Sequence, residues 1–207
     1  MKGCTDSSPR GPCQPKTERR SCDRPKNIDQ NSSLEELVEH YWFDFCDCFT
    51  YENAWWGDSS LTWDQALERA WKSRGADSKM HGHQRRIANK LSDGLAVSQS
   101  DGKTSSDFSS FEELYDWVHS VSGRVKGLGP LVTYDVARRL GAKLNLEPEI
   151  VYLHAGSRTG AGKLGLHTKD KATAVTSLPK ELHRLSAAHI ENFLCLYKQY
   201  LREDMQD

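Results

Sequence analysis

No run of apolar residues in this 207-residue chain is long enough to cross a bilayer, so no membrane-spanning helix is expected. Apolar residues make up only 37% of the chain, little for a globular protein, so part of its length is expected to be solvated rather than core. Alternation of apolar and polar residues, the mark of half-buried strands, is nearly missing. So is any CxxC pair, which leaves a zinc site at the cysteines without support. Neither a Ser-His-Asp order nor a Gly-x-Ser-x-Gly elbow is present, and the sequence therefore offers nothing for a serine-hydrolase triad.

What the chain does contain begins with a segment, residues 1–32, that holds most of the prolines and almost no large apolar side chain. Such a stretch cannot bury enough surface to offset its ordering entropy and is expected to be a disordered basic tail. It lacks the apolar run of a secretory signal or an anchor. Three of the six cysteines, Cys4, Cys13 and Cys22, fall in it; Cys46, Cys48 and Cys195 fall in expected helices. That distribution favours reduced thiols and an intracellular protein, cytoplasmic or nuclear.

Residues 33–205 read as one multi-helix domain of the all-α class. Ser33 with Glu36 forms a capping box ahead of Leu34, Leu37, Val38, Tyr41, Trp42 and Phe45, and Thr62 with Gln65 repeats the device ahead of Trp63, Ala66, Leu67, Ala70 and Trp71, with Gly75 as the end. A third helix is expected over His83–Leu95, followed by a polar loop over Val97–Asp107. Ser109 or Ser110 opens a fourth, carrying Phe111, Leu114, Tyr115 and Val118. Pro148 suits a fresh helix start. A last helix from about Ser186 presents Ile190, Phe193, Leu194 and Tyr197 to the core.

Charge is segregated along a chain whose net is only -1. Between Asn27 and Ala70 the only arginine or lysine is Arg69, whereas Val121–Val175 carries Arg124, Lys126, Arg138, Arg139, Lys143, Arg158, Lys163, Lys169 and Lys171 against four acids. At the head of this basic stretch stands "VKGLGPLVTYDVARRLGAKL". Gly127 and Gly129 allow close backbone approach, Pro130 starts a helix, and free amides there would face an anion. This turn resembles the helix-hairpin-helix element of DNA repair and DNA-processing proteins, over about residues 114–144. The resemblance implies non-sequence-specific grip on a phosphate backbone by Gly127, Leu128 and Gly129, with Ala137 at the small position of the second helix and Lys126, Arg138, Arg139 and Lys143 adding charge. The catalytic aspartate and lysine of glycosylases sharing the element have no counterpart here, since Leu131, Val132 and "IVYLHAG" occupy those places.

Tyr152–Lys171 contains a Gly162-Lys163 pair but fails as a P-loop, because Ser157 and Leu164 stand where glycine or alanine and serine or threonine are needed. It reads instead as a flexible basic loop whose Arg158 and Lys163 could follow a nucleic-acid backbone, or as a solvated connector. His81, His83 and His154 could in principle share a zinc ion, but no carboxylate or thiolate partner is evident from their neighbours. Packing or surface roles are the simpler reading, and no metal is assigned. The six tryptophans, including Trp55 and Trp56, lie among acids that repel a backbone, which favours core or protein-interface use.

The expected function is nucleic-acid binding, DNA ahead of RNA, through the glycine turn and basic loop. The alternatives are a protein-interaction module using the acidic, tryptophan-rich half, or an enzyme with an unassembled histidine site whose cofactor, if any, the sequence does not name.

Overall fold

The computed structural model describes residues 25–205. Seven α-helices account for most of them: α1 Leu34–Trp56, α2 Trp63–Lys72, α3 Ala88–Ser100, α4 Phe111–Gly123, α5 Pro130–Leu144, α6 Ala155–Lys163 and α7 Ala187–Tyr197. Two three-residue strands, β1 Ile150–Tyr152 and β2 Ala172–Ala174, pair antiparallel, with Val151 opposite Thr173. None of the described helices is long and apolar enough to cross a membrane.

Local chemistry sets most helix ends. Ser33 Oγ accepts the Glu36 N–H while the Glu36 carboxylate accepts the Ser33 N–H, and Thr62 and Gln65 repeat the exchange at α2. Ser110 and Ser186 cap α4 and α7. Proline occupies the first position of α5, where a missing N–H costs nothing, and Asn145 closes that helix in the left-handed region at φ 57°.

Two apolar clusters form the core. One lies among α1, α6, α7 and β1, around Tyr41, Phe45, Phe193 and Tyr197. The other joins α2 to α5, around Trp71, Phe111, Leu114 and Leu140. Tyr41 meets Phe193 edge-on at 5.7 Å in the first, and Trp71 donates its indole N–H to Ser98 Oγ at 2.9 Å in the second.

Several sequence expectations need correction. Most of the expected tail, residues 1–24, lies outside the described residues, but residues 25–32 pack on the domain: Pro25 is buried, Ile28 touches the first core and Arg202 donates to the Gln30 and Ser32 carbonyls. The third helix opens as a 3-10 segment at Gly82–Ile87 and runs on through Ser100, past the expected loop start. Ser73, not Gly75, takes the left-handed position after α2. Pro148 precedes a strand rather than a helix, because Ile150–Tyr152 finds β2 to pair with.

The glycine-rich "loop" is also largely a helix. Gly156 and Gly160, one turn apart on α6, let it press against α7: a Cβ at Gly156 would stand 2.2 Å from Cys195 Sγ, and one at Gly160 would stand 2.1 Å from the Leu194 carbonyl oxygen. Tertiary contact overrides the low helix propensity of glycine there. Finally, the expectation of reduced thiols fails for two residues, since Cys46 and Cys48 are disulfide-bonded; Cys195 is a free thiol.

Candidate functional site

The seam between the two cores opens into a cleft of about 380 Å³, at the small end of the range typical of ligand sites, roughly 300–1,000 Å³. Three helices wall it. From α1 come Phe49, Glu52, Asn53 and Trp56, spaced so that they share one face; α5 supplies Leu131, Tyr134, Asp135, Arg138 and Arg139; α7 supplies Glu191, Asn192 and Cys195. His81 and His83 reach in from the 3-10 segment, and His154 from the turn between β1 and α6.

Each histidine that the sequence singled out therefore lines this cleft, and two have carboxylate partners that lay out of sight in the sequence. His83 Nε2 is 2.8 Å from Asp135 Oδ2 across 52 positions of chain. Gln84 donates to the same oxygen at 2.6 Å and in turn accepts from Arg139 Nη1 at 3.1 Å, so Asp135 is held from two sides. Burial raises the Asp135 pKa, but the His83 hydrogen bond and the Arg139 charge outweigh it and hold the carboxyl below its ordinary value. The His83 side chain is 47% exposed, and its Nδ1 makes no hydrogen bond among the described residues.

His154 is more enclosed. Its Nε2 lies 3.0 Å from Glu191 Oε1, with side-chain exposures of only 6% and 9%. That contact pairs the two groups, whereas His154 Nδ1 and the Tyr134 hydroxyl are buried with no hydrogen bond drawn to them among the described residues. Burial disfavours a charged His154, but Glu191 beside it and Asp135 farther off prevail and lift its pKa above the ordinary histidine value. Tyr134, whose ring lies 5.2 Å from that of His154, is pushed up by burial and stays protonated. His154 is positioned by its own backbone, the N–H bonding Ser157 Oγ at 3.1 Å and the carbonyl accepting the Arg158 N–H at 2.8 Å as α6 begins.

The other imidazoles differ in charge. Desolvation pulls His81 to about 4, helped by the nearby Arg139 charge, and pulls His189 to about 4 as well. His189 Nδ1 lies 2.8 Å from the Tyr41 hydroxyl, which also accepts from Asn192. Burial thus keeps His81 and His189 neutral at neutral pH, whereas Glu191 favours the protonated form of His154. Among the described residues no three of His, Cys, Asp and Glu gather as a metal-binding group.

The residues expected to hold a phosphate backbone fall into separate environments. Lys126 and Gly127 are exposed in the turn joining α4 to α5, Gly127 at φ 103° where glycine is favoured; Leu128 packs partly on the second core and Gly129 caps α5. Arg138 and Arg139 face the cleft. Lys143 donates to the Asp58 and Ser59 carbonyls, and Arg158 to those of Leu153 and Thr168. Lys163 is exposed at the end of α6. The tryptophans Trp56 and Trp71 are buried, while Trp55 stacks beneath Arg69 at 3.9 Å.

Sequence reasoning missed Tyr134, Asp135, Glu191 and Asn192. A signal existed for some: Asp135, Arg138 and Arg139 form one polar stripe at helical spacing, and Glu191 interrupts the apolar face of α7 next to Ile190. No known protein family, curated protein or solved structure matches the chain.

Proposed function

We propose that the protein is a hydrolytic enzyme working by general acid–base catalysis on a small molecule bound in the α1/α5/α7 cleft. The observation that carries this reading is the convergence of two histidine–carboxylate pairs on one cavity whose buried lining includes polar atoms without partners. A buried polar atom left unbonded costs about 1–3 kcal/mol, and a bound ligand is the natural source of the missing bonds. Asp135 fixes the His83 ring through Nε2, leaving Nδ1 to take a proton from water. His154, its pKa lifted by Glu191, supplies a proton to the departing group, with the Tyr134 hydroxyl as a further donor.

The test compares wild type with His83→Gln, His154→Gln and the double variant on p-nitrophenyl acetate, p-nitrophenyl phosphate and bis-p-nitrophenyl phosphate from pH 5 to 9. Turnover of at least one ester should fall by about 100-fold or more in each single variant. Equal rates for wild type and double variant across the whole panel overturn the reading.

A second reading keeps the phosphate-backbone contact at the turn itself. It is favoured by the exposed Lys126 and Gly127 ahead of an α5 start that no side chain caps. In that form it rests on Lys126, Gly127, Leu128 and Gly129 alone, because Lys143 and Arg158 are committed to carbonyl groups.

A further inference from the structure

Two consecutive arginines on α5 line the cleft, and neither has a carboxylate of the described residues within ion-pairing distance. Arg138 donates from Nη2 to Asn53 Oδ1 at 3.2 Å, reaches toward the Tyr134 hydroxyl and lies 4.2 Å over the Phe49 ring. Arg139 is only 6% exposed; its Nη1 donates to the Ala70 carbonyl at 3.0 Å and to Gln84 Oε1 at 3.1 Å, and its guanidinium sits 4.9 Å over Trp56. All these partners are neutral. A guanidinium carries five N–H donors, so most of those on Arg138, and Nε and Nη2 of Arg139, make no hydrogen bond with the described residues.

Burying a cation among neutral groups is costly unless an anion completes it. Asp135 and Glu52 act on Arg139 only from longer range, and burial still pulls its guanidinium below the ordinary value. The other carboxylates of the cleft are turned elsewhere, Asp135 to His83 and Gln84, Glu191 to His154. The cleft thus holds two planar donor forks from adjacent α5 positions, one over Phe49 and one over Trp56, with no carboxylate of the described residues within ion-pairing distance of either.

We infer that Arg138 and Arg139 form the binding site for a phosphate head group, and that the substrate of this cleft is a small phosphate ester. A phosphate monoester presents three terminal oxygens and up to two charges, which suits two forks better than the two oxygens of a carboxylate. The cleft's size limits the source: a small phosphorylated molecule fits, whereas Arg139 is too enclosed to meet the backbone of a duplex. This inference rests on the hydrolase reading only for what happens after binding.

The experiment is calorimetric titration of the full chain with inorganic phosphate, methyl phosphate, dimethyl phosphate and acetate, on wild type, Arg138→Gln and Arg138→Lys. Arg138 is the primary target because Arg139 also holds Ala70 and Gln84. Phosphate and methyl phosphate should bind wild type at least about 10-fold more tightly than dimethyl phosphate or acetate, one such step being about 1.4 kcal/mol. Arg138→Gln should weaken phosphate about 10-fold or more, and Arg138→Lys less. The inference is overturned if phosphate does not bind, if Arg138→Gln binds it unchanged, or if acetate binds equally well. Phosphate binding through Arg138 without histidine-dependent turnover sinks the hydrolase reading alone; turnover of p-nitrophenyl acetate without phosphate binding sinks this inference alone.

Discussion

Replacing Glu191, whose carboxylate lies 3.0 Å from His154, with glutamine removes the charge that raises the His154 pKa while keeping a side chain of the same shape. In the wild type the folded pKa of His154 lies above the unfolded value of about 6.5. The pair's contribution to stability is therefore fully present below pH 6.5 and is lost as pH rises through the folded pKa. In Glu191→Gln only burial remains dominant, so His154 stays neutral in the folded protein well below pH 6.5. At pH 7 the unfolded imidazole is itself mostly neutral, and little proton-linked penalty arises. At pH 5 the unfolded state has gained a proton that the folded variant refuses across about 1.5 pH units, which at about 1.4 kcal/mol per unit gives about 2 kcal/mol. His81 and His189, both held near 4 by burial, also destabilise the fold in acid, but they do so in both proteins and cancel in the comparison. Urea denaturation of both proteins at pH 7 and pH 5 measures this, with the His154 ring followed by NMR. The deficit of the variant should grow by about 2 kcal/mol on acidification. A deficit that is constant or smaller at pH 5, or a wild-type His154 titrating at or below 6.5, refutes the charge assignment and with it the role of His154 as proton donor.

Gly94→Ala tests the second core, because the added Cβ would stand 2.4 Å from Trp71 Cζ3 and the indole, fully buried and bonded to Ser98, has nowhere to go. On an exposed helix the change would gain about 1 kcal/mol; here a loss of about 1–3 kcal/mol is expected in thermal unfolding, and unchanged or raised stability would contradict the packing. The contact at the glycine turn predicts salt-dependent binding of duplex DNA that Lys126→Ala weakens, with a shallower salt slope by about one. Fluorescence anisotropy from 20 to 200 mM salt measures it, and no binding at the lowest salt removes the second reading.

The parts of the fold that were legible in the sequence are those governed by neighbours along the chain. Ser33 with Glu36 and Thr62 with Gln65 could be read as caps because both partners sit within one turn, and the face of Ile190, Phe193, Leu194 and Tyr197 because period alone places it. The glycine-rich segment misled for the opposite reason. Gly156 and Gly160 look like loop residues until α7 is alongside, when their missing side chains become the condition for close packing. Likewise Pro148 reads as a helix start until β2, more than twenty positions later, offers β1 a partner.

For the site, residue types were visible and partnerships were not. His81, His83 and His154 stood out as candidates, and Arg138 and Arg139 as anion-seeking cations, from chemistry that a side chain carries wherever it sits. The tertiary structure decided that Asp135 serves His83, that Glu191 serves His154, and that the two arginines face an enclosed cleft while Lys143 and Arg158 tie down carbonyls. The reason is physical: helix caps and amphipathic faces are set within a few residues, whereas desolvation and charge pairing depend on which helices meet, and that is fixed only when α1, α5 and α7 close around one cavity.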